Sequence, residues 1–137
     1  MANSGTPIFS AAVEGPTDEA VLRRAVEHAG AQLGGVYGRR GKPFLRKHAR
    51  GYNHAARTSP WLLLVDLYDE KCAPLLRRAW VPDPAPRMLF RIAVREVEAW
   101  LLADREKMAE FLALPVSRIP ERPEDIAHPK KALVQLA

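Results

Sequence analysis

Ala12-Val13-Glu14-Gly15-Pro16-Thr17-Asp18-Glu19-Ala20-Val21-Leu22 is the stretch whose reading decides the fold of this chain. An apolar run beginning at Ile8 stops at the carboxylate of Glu14. Gly15 and Pro16 then turn the backbone, and an amphipathic pattern begins. This predicts a strand over Ile8–Val13, a tight turn and a helix. Pro16 suits the first helical turn, where its missing N–H has no partner to lose. Asp18 and Glu19 place negative charge at the positive end of the helix dipole. Leu22, Ala25, Val26 and Ala29 recur at i, i+3, i+4 and i+7, which makes one buried face, and Gly30 supplies a C-terminal stop. Glu14 therefore falls at the carboxyl end of a strand, where open α/β sheets bind their ligands.

Working outward, the clearest second strand is Trp61-Leu62-Leu63-Leu64-Val65-Asp66-Leu67. It is apolar on both faces, as a central parallel strand covered by helices should be. It too runs into acids: Asp66, Asp69 and Glu70. Residues 32–37 read as a weak strand or, given Gly34 and Gly35, as a loop. Residues 43–57 read as a helix broken at Gly51, and residues 73–80 as a short helix. Residues 87–94 alternate, with Met88, Phe90, Ile92 and Val94 on one face and Arg87, Arg91 and Arg95 on the other, so one side should be wet or meet a partner. A helix follows in which Val97, Leu101, Met108 and Leu112 line one side. A last helix runs from Glu124, interrupted at Pro129, and reads as cut short or as packed against something outside the chain. Strands alternating with helices, in one domain over residues 1–137, predict an α/β fold.

The length of 137 residues, the hydrophobic fraction of 47% and the charged fraction of 27% fit one soluble globular domain. A lone cysteine, Cys72, cannot close an internal disulfide and fits a reducing, cytoplasmic setting. The first seven residues lack the pattern of a signal peptide, and no apolar run approaches the roughly 18 residues of a membrane span. The net charge of +5 is unevenly placed. Arg39, Arg40, Lys42, Arg46, Lys47, Arg50 and Arg57 fall in a window that holds no acid, and the rest of the chain is slightly acidic. Such a concentration suits either a solvated helix face or a polyanionic partner such as nucleic acid. Arg46, Arg50 and His54, at i, i+4 and i+8, would share one face of a continuous helix. Phe44 and Tyr52, interleaved with them, could stack bases or anchor the helix on the core.

Glu14 ends one strand, and Asp66 and Asp69 follow another. If the two strands are neighbours, three carboxylates converge, and a hard cation such as Mg²⁺ or Mn²⁺ would relieve their repulsion. Beside a basic groove, this is an arrangement suited to phosphoryl chemistry. Asp69 and Glu70 read equally well as ordinary loop acids. Glu98, behind the alternating strand with Glu96, reads either as a dipole-favoured acid of the first helical turn or as a supporting or substrate-binding group. Other sites are excluded. Five residues, not four, separate Gly35 from Gly41, and Pro43 stands where a phosphate-binding loop needs Ser or Thr. The glycine fingerprint of a dinucleotide fold is missing, and the histidines and Cys72 lack zinc-ligand spacing.

Val13-Glu14-Gly15-Pro16-Thr17-Asp18 resembles the first motif of the Toprim domain, shared by topoisomerases, bacterial primases and OLD-family nucleases. Leu63-Leu64-Val65-Asp66-Leu67-Tyr68-Asp69 is similar to its second. Residues 95–104, and Pro129-Lys130-Lys131 before a helix, resemble signatures of an uncharacterised Toprim-related bacterial family. The resemblance implies a four-stranded, mainly parallel sheet sandwiched between helices. It also implies a Mg²⁺ site with Glu14 as general acid/base and Asp66 and Asp69 as ligands. Asp66 and Asp69 are spaced one residue wider than the usual Asp-x-Asp. Either the turn brings Asp69 in or the second ligand is absent.

Three functions follow as expectations. The first is a Mg²⁺-dependent nuclease, with roles in bacterial defence or DNA repair fitting the resemblance. The second is a non-catalytic Toprim-like module that binds nucleic acid or a protein partner such as an ATPase. The third is a phosphotransfer enzyme acting on a small molecule.

Overall fold

The computed structural model describes residues 5–137. The reading of the first seven residues as no signal peptide therefore falls mostly outside the described residues. Four strands form one sheet: β1 (Ile8–Val13), β2 (Gln32–Gly38), β3 (Trp61–Asp66) and β4 (Met88–Ala93). All pairings are parallel, and the order is β2-β1-β3-β4. The expected α/β fold, a parallel sheet between helices, is what the chain forms. The β1 and β3 strands are neighbours, as convergence of their acids requires.

Helix α1 (Pro16–His28) connects β1 to β2, α2 (Lys42–Ala55) connects β2 to β3, and α3 (Ala73–Trp80) connects β3 to β4. The chain steps outward from β1 to β2, then crosses back to β3 on the other side of β1. Right-handed crossovers in opposite directions place the intervening helices on opposite faces. One face accordingly packs Leu45, Ala49, Leu76 and Trp80 against Leu63, Val65 and Phe90. The other packs Leu22, Val26 and Val97 against Val13, Leu62 and Leu64. The β3 strand contributes alternate residues to both, which explains its unbroken apolar run.

After β4 come α4 (Val97–Ala103), α5 (Arg105–Leu112), two 3-10 turns, and α6 (Pro129–Leu136). Leu102, Ala109 and Ile119 form a small separate core there, with Leu133 and Leu136 packed against it. Among the described residues, no helix is long and apolar enough to cross a membrane.

One open local reading is decided and four local expectations are corrected. Of the two readings left open for residues 32–37, the strand is the one formed, an edge strand whose register with β1 shifts between Phe9 and Ala11. The α2 helix runs unbroken through Gly51, whose lost propensity is outweighed by the burial of Leu45 and Ala49. The expected single helix after β4 divides at Asp104, whose side chain accepts the N–H of Lys107 at 3.1 Å and so caps a new helix. Pro129 starts α6 and interrupts nothing, in keeping with its missing N–H. The second face of β4 is only partly wet, because Leu89 and Ala93 pack into the core beneath α1 and only Arg91 is exposed.

Candidate metal centre

In the order β2-β1-β3-β4, the connections leave β1 and β3 in opposite directions. The crevice between their carboxyl ends is the topological switch point, the place where parallel sheets leave room for a ligand. Glu14 directly follows β1, and Asp66 ends β3. The main-chain N–H of Asp66 donates to Oε1 of Glu14 at 3.4 Å. Oδ1 of Asp66 accepts the N–H of Val97 at 2.9 Å, which joins β3 to the start of α4.

Around this pair the fold gathers three more carboxylates. One carboxylate oxygen from each of Glu14, Asp18 and Asp66 lies within 4.8 Å of the others, and the same holds for Asp66, Glu96 and Glu98. Asp66 belongs to both groups. The cleft they line has a volume of about 270 Å³ and is completed by Gly15, Pro16, Thr17 and Lys130. The main-chain N–H of Lys130 donates to Oε1 of Glu96 at 3.3 Å, so α6 is tied to the cleft at its first turn.

The electrostatics are those of crowded, partly desolvated acids. Burial pushes Glu14 up to about 7 from 4.5, and the charge of Asp18 adds to the shift. Burial pushes Asp66 up to about 8 from 3.8, with Glu14 and Asp18 adding to it. Burial also raises Asp18 and Glu98, which are each only 7% exposed. Oδ1 of Asp18 is buried with no hydrogen-bond partner among the described residues. A buried carboxylate oxygen left unpartnered is costly, and a bound cation would satisfy it. The donor set is all oxygen, as hard divalent cations require. These acids could therefore hold a metal ion.

The sequence-predicted residues divide. Glu14, Asp66 and Glu98 come together. Asp69 and Glu70 do not join them: both are exposed, in a turn closed by the N–H of Glu70 on the carbonyl of Leu67 at 3.1 Å. That turn carries Asp69 away from the cleft, and Asp18 occupies the third place in the group with Glu14 and Asp66.

The basic segment starts beside the cleft and leaves it. The N–H of Gly41 donates to the carbonyl of Glu14 at 3.0 Å, and Lys42 Nζ donates to the carbonyl of Leu67 at 3.1 Å. Arg39 forks onto Glu19 of α1, at 2.6 and 2.7 Å. Arg40 covers the Phe44 ring, 5.3 Å from its centroid. Arg46, Lys47, Arg50 and His54 are exposed along α2. At about 1.5 Å per residue, His54 stands roughly 18 Å from Lys42 along the helix axis, and Arg57 lies beyond it. Tyr52 stacks on Trp61 at 5.3 Å between ring centroids and packs on the core, so it anchors the helix. Phe44 stacks on His48 at 4.1 Å and lies outside the core clusters.

Asp18, Glu96 and Lys130 enter the site without having been singled out for it. A signal for Asp18 was present. A carboxylate four residues after Glu14, across a Gly-Pro turn that reverses the chain, returns to the side from which it left. Glu96 follows β4 much as Glu14 follows β1 and was noted only as a companion of Glu98, whereas Lys130 depends on the packing of α6 against α4, which local patterning does not encode.

Fold and site together define a parallel α/β domain with an acidic cluster, able to hold a metal ion, at its switch point. The chain belongs to the family described as a domain of unknown function, DUF4276, whose model matches residues 13–135. The matched span contains all five acids of the cleft. No curated protein and no solved structure matches the chain.

Proposed function

We propose that this protein is a Toprim-like, Mg²⁺- or Mn²⁺-dependent enzyme acting on a nucleic-acid phosphodiester, most simply as a nuclease. The observation that carries this reading is the membership of Asp66 in both carboxylate groups at the switch point. A carboxylate placed in this way can be shared between two cation positions, an arrangement common to phosphodiester-cleaving sites. Glu14, Asp18, Asp66, Glu96 and Glu98 would hold the metal, which when bound offers charge stabilisation on the phosphate and activation of a nucleophile.

The chain's own residues supply the rest. Glu14, pushed up to about 7 by burial, carries a proton near neutral pH that an arriving cation would displace, which makes metal loading of the site sensitive to pH. Asp66 is oriented by the N–H of Val97. Lys130, an exposed cation at the rim of the acidic cleft, can meet a phosphate oxygen that the carboxylates would repel. Arg46, Lys47 and Arg50 lead from the cleft along α2 and can hold the backbone of a longer strand.

The test is cleavage of single- and double-stranded DNA and RNA with Mg²⁺ or Mn²⁺. Glu14→Gln and Asp66→Asn should each abolish cleavage while the folded circular-dichroism spectrum is kept. Cleavage that survives either change overturns the assignment. The exposed position of Asp69 favours a second reading, a Toprim-like module that binds nucleic acid or partners an ATPase and supplies no chemistry. Salt-sensitive binding of nucleic acid without cleavage would select it.

A further inference from the structure

A second cavity, of about 700 Å³, opens beside the acidic cleft and is lined by Tyr68, Glu96, His128, Lys130, Lys131 and Val134, among others. Glu96 and Lys130 line both spaces, so an occupant of the cavity abuts the cleft. The volume is within the usual range of roughly 300–1,000 Å³ for small-ligand sites.

The wall is unusual at Tyr68. Its φ of 53° is left-handed, a conformation that a bulky residue rarely adopts and that persists only where the surroundings impose it. Arg95 imposes it here. The N–H of Tyr68 donates to the carbonyl of Arg95 at 2.8 Å, and Arg95 Nη1 donates to the carbonyls of Tyr68 at 2.8 Å and Glu70 at 3.3 Å. The result is a main chain held in place beneath an aromatic ring that is 46% exposed and that the core does not use. His128 stands beside it, with ring centroids 6.0 Å apart and planes tilted by 52°. Lys131 takes part in none of the ion pairs among the described residues. Val134, 68% exposed, adds an apolar surface.

We propose that this cavity seats one unpaired nucleotide of the substrate, with its base on Tyr68 and its phosphate toward Lys131. A ring face, an apolar wall and unpaired cations together match a nucleotide's base, sugar and phosphate. Bases within a duplex are already stacked on both faces, so only a single-stranded or flipped-out nucleotide can use the ring. The proposal rests on the acidic cleft acting on nucleic acid, and it narrows the substrate to one with an unpaired segment there.

The test measures binding separately from cleavage. A fluorescein-labelled single-stranded hexanucleotide is titrated with the full chain, followed by anisotropy, with Ca²⁺ in place of Mg²⁺. Tyr68→Ala should weaken binding roughly ten- to a hundredfold, while Tyr68→Phe, which keeps the ring, should stay within about threefold of the unaltered protein. Lys131→Gln should weaken binding and flatten its salt dependence. A blunt duplex of the same sequence should bind equally well with or without the Tyr68 ring. The proposal is overturned if the unaltered chain does not bind the single strand, if Tyr68→Ala binds it as the unaltered chain does, or if the duplex loses as much as the single strand. Loss of binding in Tyr68→Ala without any Mg²⁺-dependent cleavage would keep the nucleotide seat and remove the nuclease. Cleavage abolished by Glu14→Gln with binding indifferent to Tyr68 would do the reverse.

Discussion

Asp66 presents its main-chain N–H to Oε1 of Glu14 at 3.4 Å, so two neighbouring strand ends hold their carboxyl groups against each other. Burial raises both groups, to about 7 for Glu14 and about 8 for Asp66; the charge of Asp18 adds to both shifts, and hydrogen bonding from Asp66 partly offsets that of Glu14. Such a pair shares protons at neutral pH and releases them when a cation arrives.

A pH dependence of stability follows. A carboxyl raised on folding keeps its proton in the folded state after the unfolded chain has lost it. Between about pH 4 and pH 8 the folded state therefore binds more protons, and stability falls as pH rises through that window. Glu19 acts in the opposite sense: its bond with Arg39 lowers it, so that contribution is lost on acidification below about pH 4.5. The metal-free protein should melt highest near about pH 5 and several degrees lower by about pH 8. Mg²⁺ or Mn²⁺ should raise the melting temperature more at the upper end, where it no longer competes with protons. Differential scanning fluorimetry with EDTA or with either metal measures this. An increment independent of pH would place the ion away from Glu14 and Asp66.

The same crowding sets stability against function. Glu14→Gln removes a charge that burial disfavours and keeps the shape of the side chain. In EDTA at about pH 8 it should stabilise the protein by roughly 1–3 kcal/mol, one pKa unit corresponding to about 1.4 kcal/mol. It should also remove the stabilisation by Mg²⁺. Urea unfolding with and without metal reads both effects, and destabilisation in EDTA would show that the carboxylate is not strained by its neighbours.

Two glycines should respond oppositely to alanine. At Gly51, inside α2, an added Cβ meets nothing within 4 Å, so Gly51→Ala should stabilise by about 0.5–1 kcal/mol. At Gly38 the φ is 86°, and a Cβ would stand 2.6 Å from the carbonyl oxygen of Val13 and 2.7 Å from Leu45. Gly38→Ala should therefore destabilise by more than about 1 kcal/mol. Because Val13 directly precedes Glu14, this substitution should also weaken metal binding, measurable by isothermal titration in the variant that remains folded.

The parts of this molecule that could be read from its sequence are those written in short-range pattern. Residues 8–22 specify strand, turn and helix through an apolar run, a Gly-Pro pair and a 3.6-residue period, and β3 reveals its central position by being apolar on both faces. Glu14 and Asp66 could be proposed as partners because each ends an apolar strand, but that the two strands are neighbours is known only from the sheet order. Asp69 could not be placed, since its distance from Asp66 depends on a turn fixed by Arg95, 26 residues further on. Glycines left β2 open between strand and loop, because the strand's irregular pairing uses them where side chains would otherwise declare a period. Asp18 looked like an ordinary dipole-favoured acid, and beside its spacing from Glu14 it is its burial without a partner for Oδ1 that sets it apart.

The basic helix gives the last prediction, because its residues do not share one fate. Arg39 is held by Glu19 in two hydrogen bonds, and Lys42 by the carbonyl of Leu67, so neither is free to follow a polyanion without giving up a contact. Arg46 and Arg50 are exposed one helical turn apart, and α2 carries both of them away from the cleft. If they neutralise phosphates, each replacement by Ala should reduce the slope of log affinity against log salt by about 0.7 on single strands or 0.9 on duplex DNA. Arg39→Ala should leave the slope unchanged while lowering the melting temperature. Arg57, beyond the far end of α2, should matter only for strands long enough to span the roughly 18 Å from Lys42 to His54. Comparing a trinucleotide, too short to cover that distance, with a twentymer therefore separates the two ends of the helix. Equal losses at Arg46 and Arg57 on the shorter strand would mean that the polyanion does not run from the acidic cleft along α2.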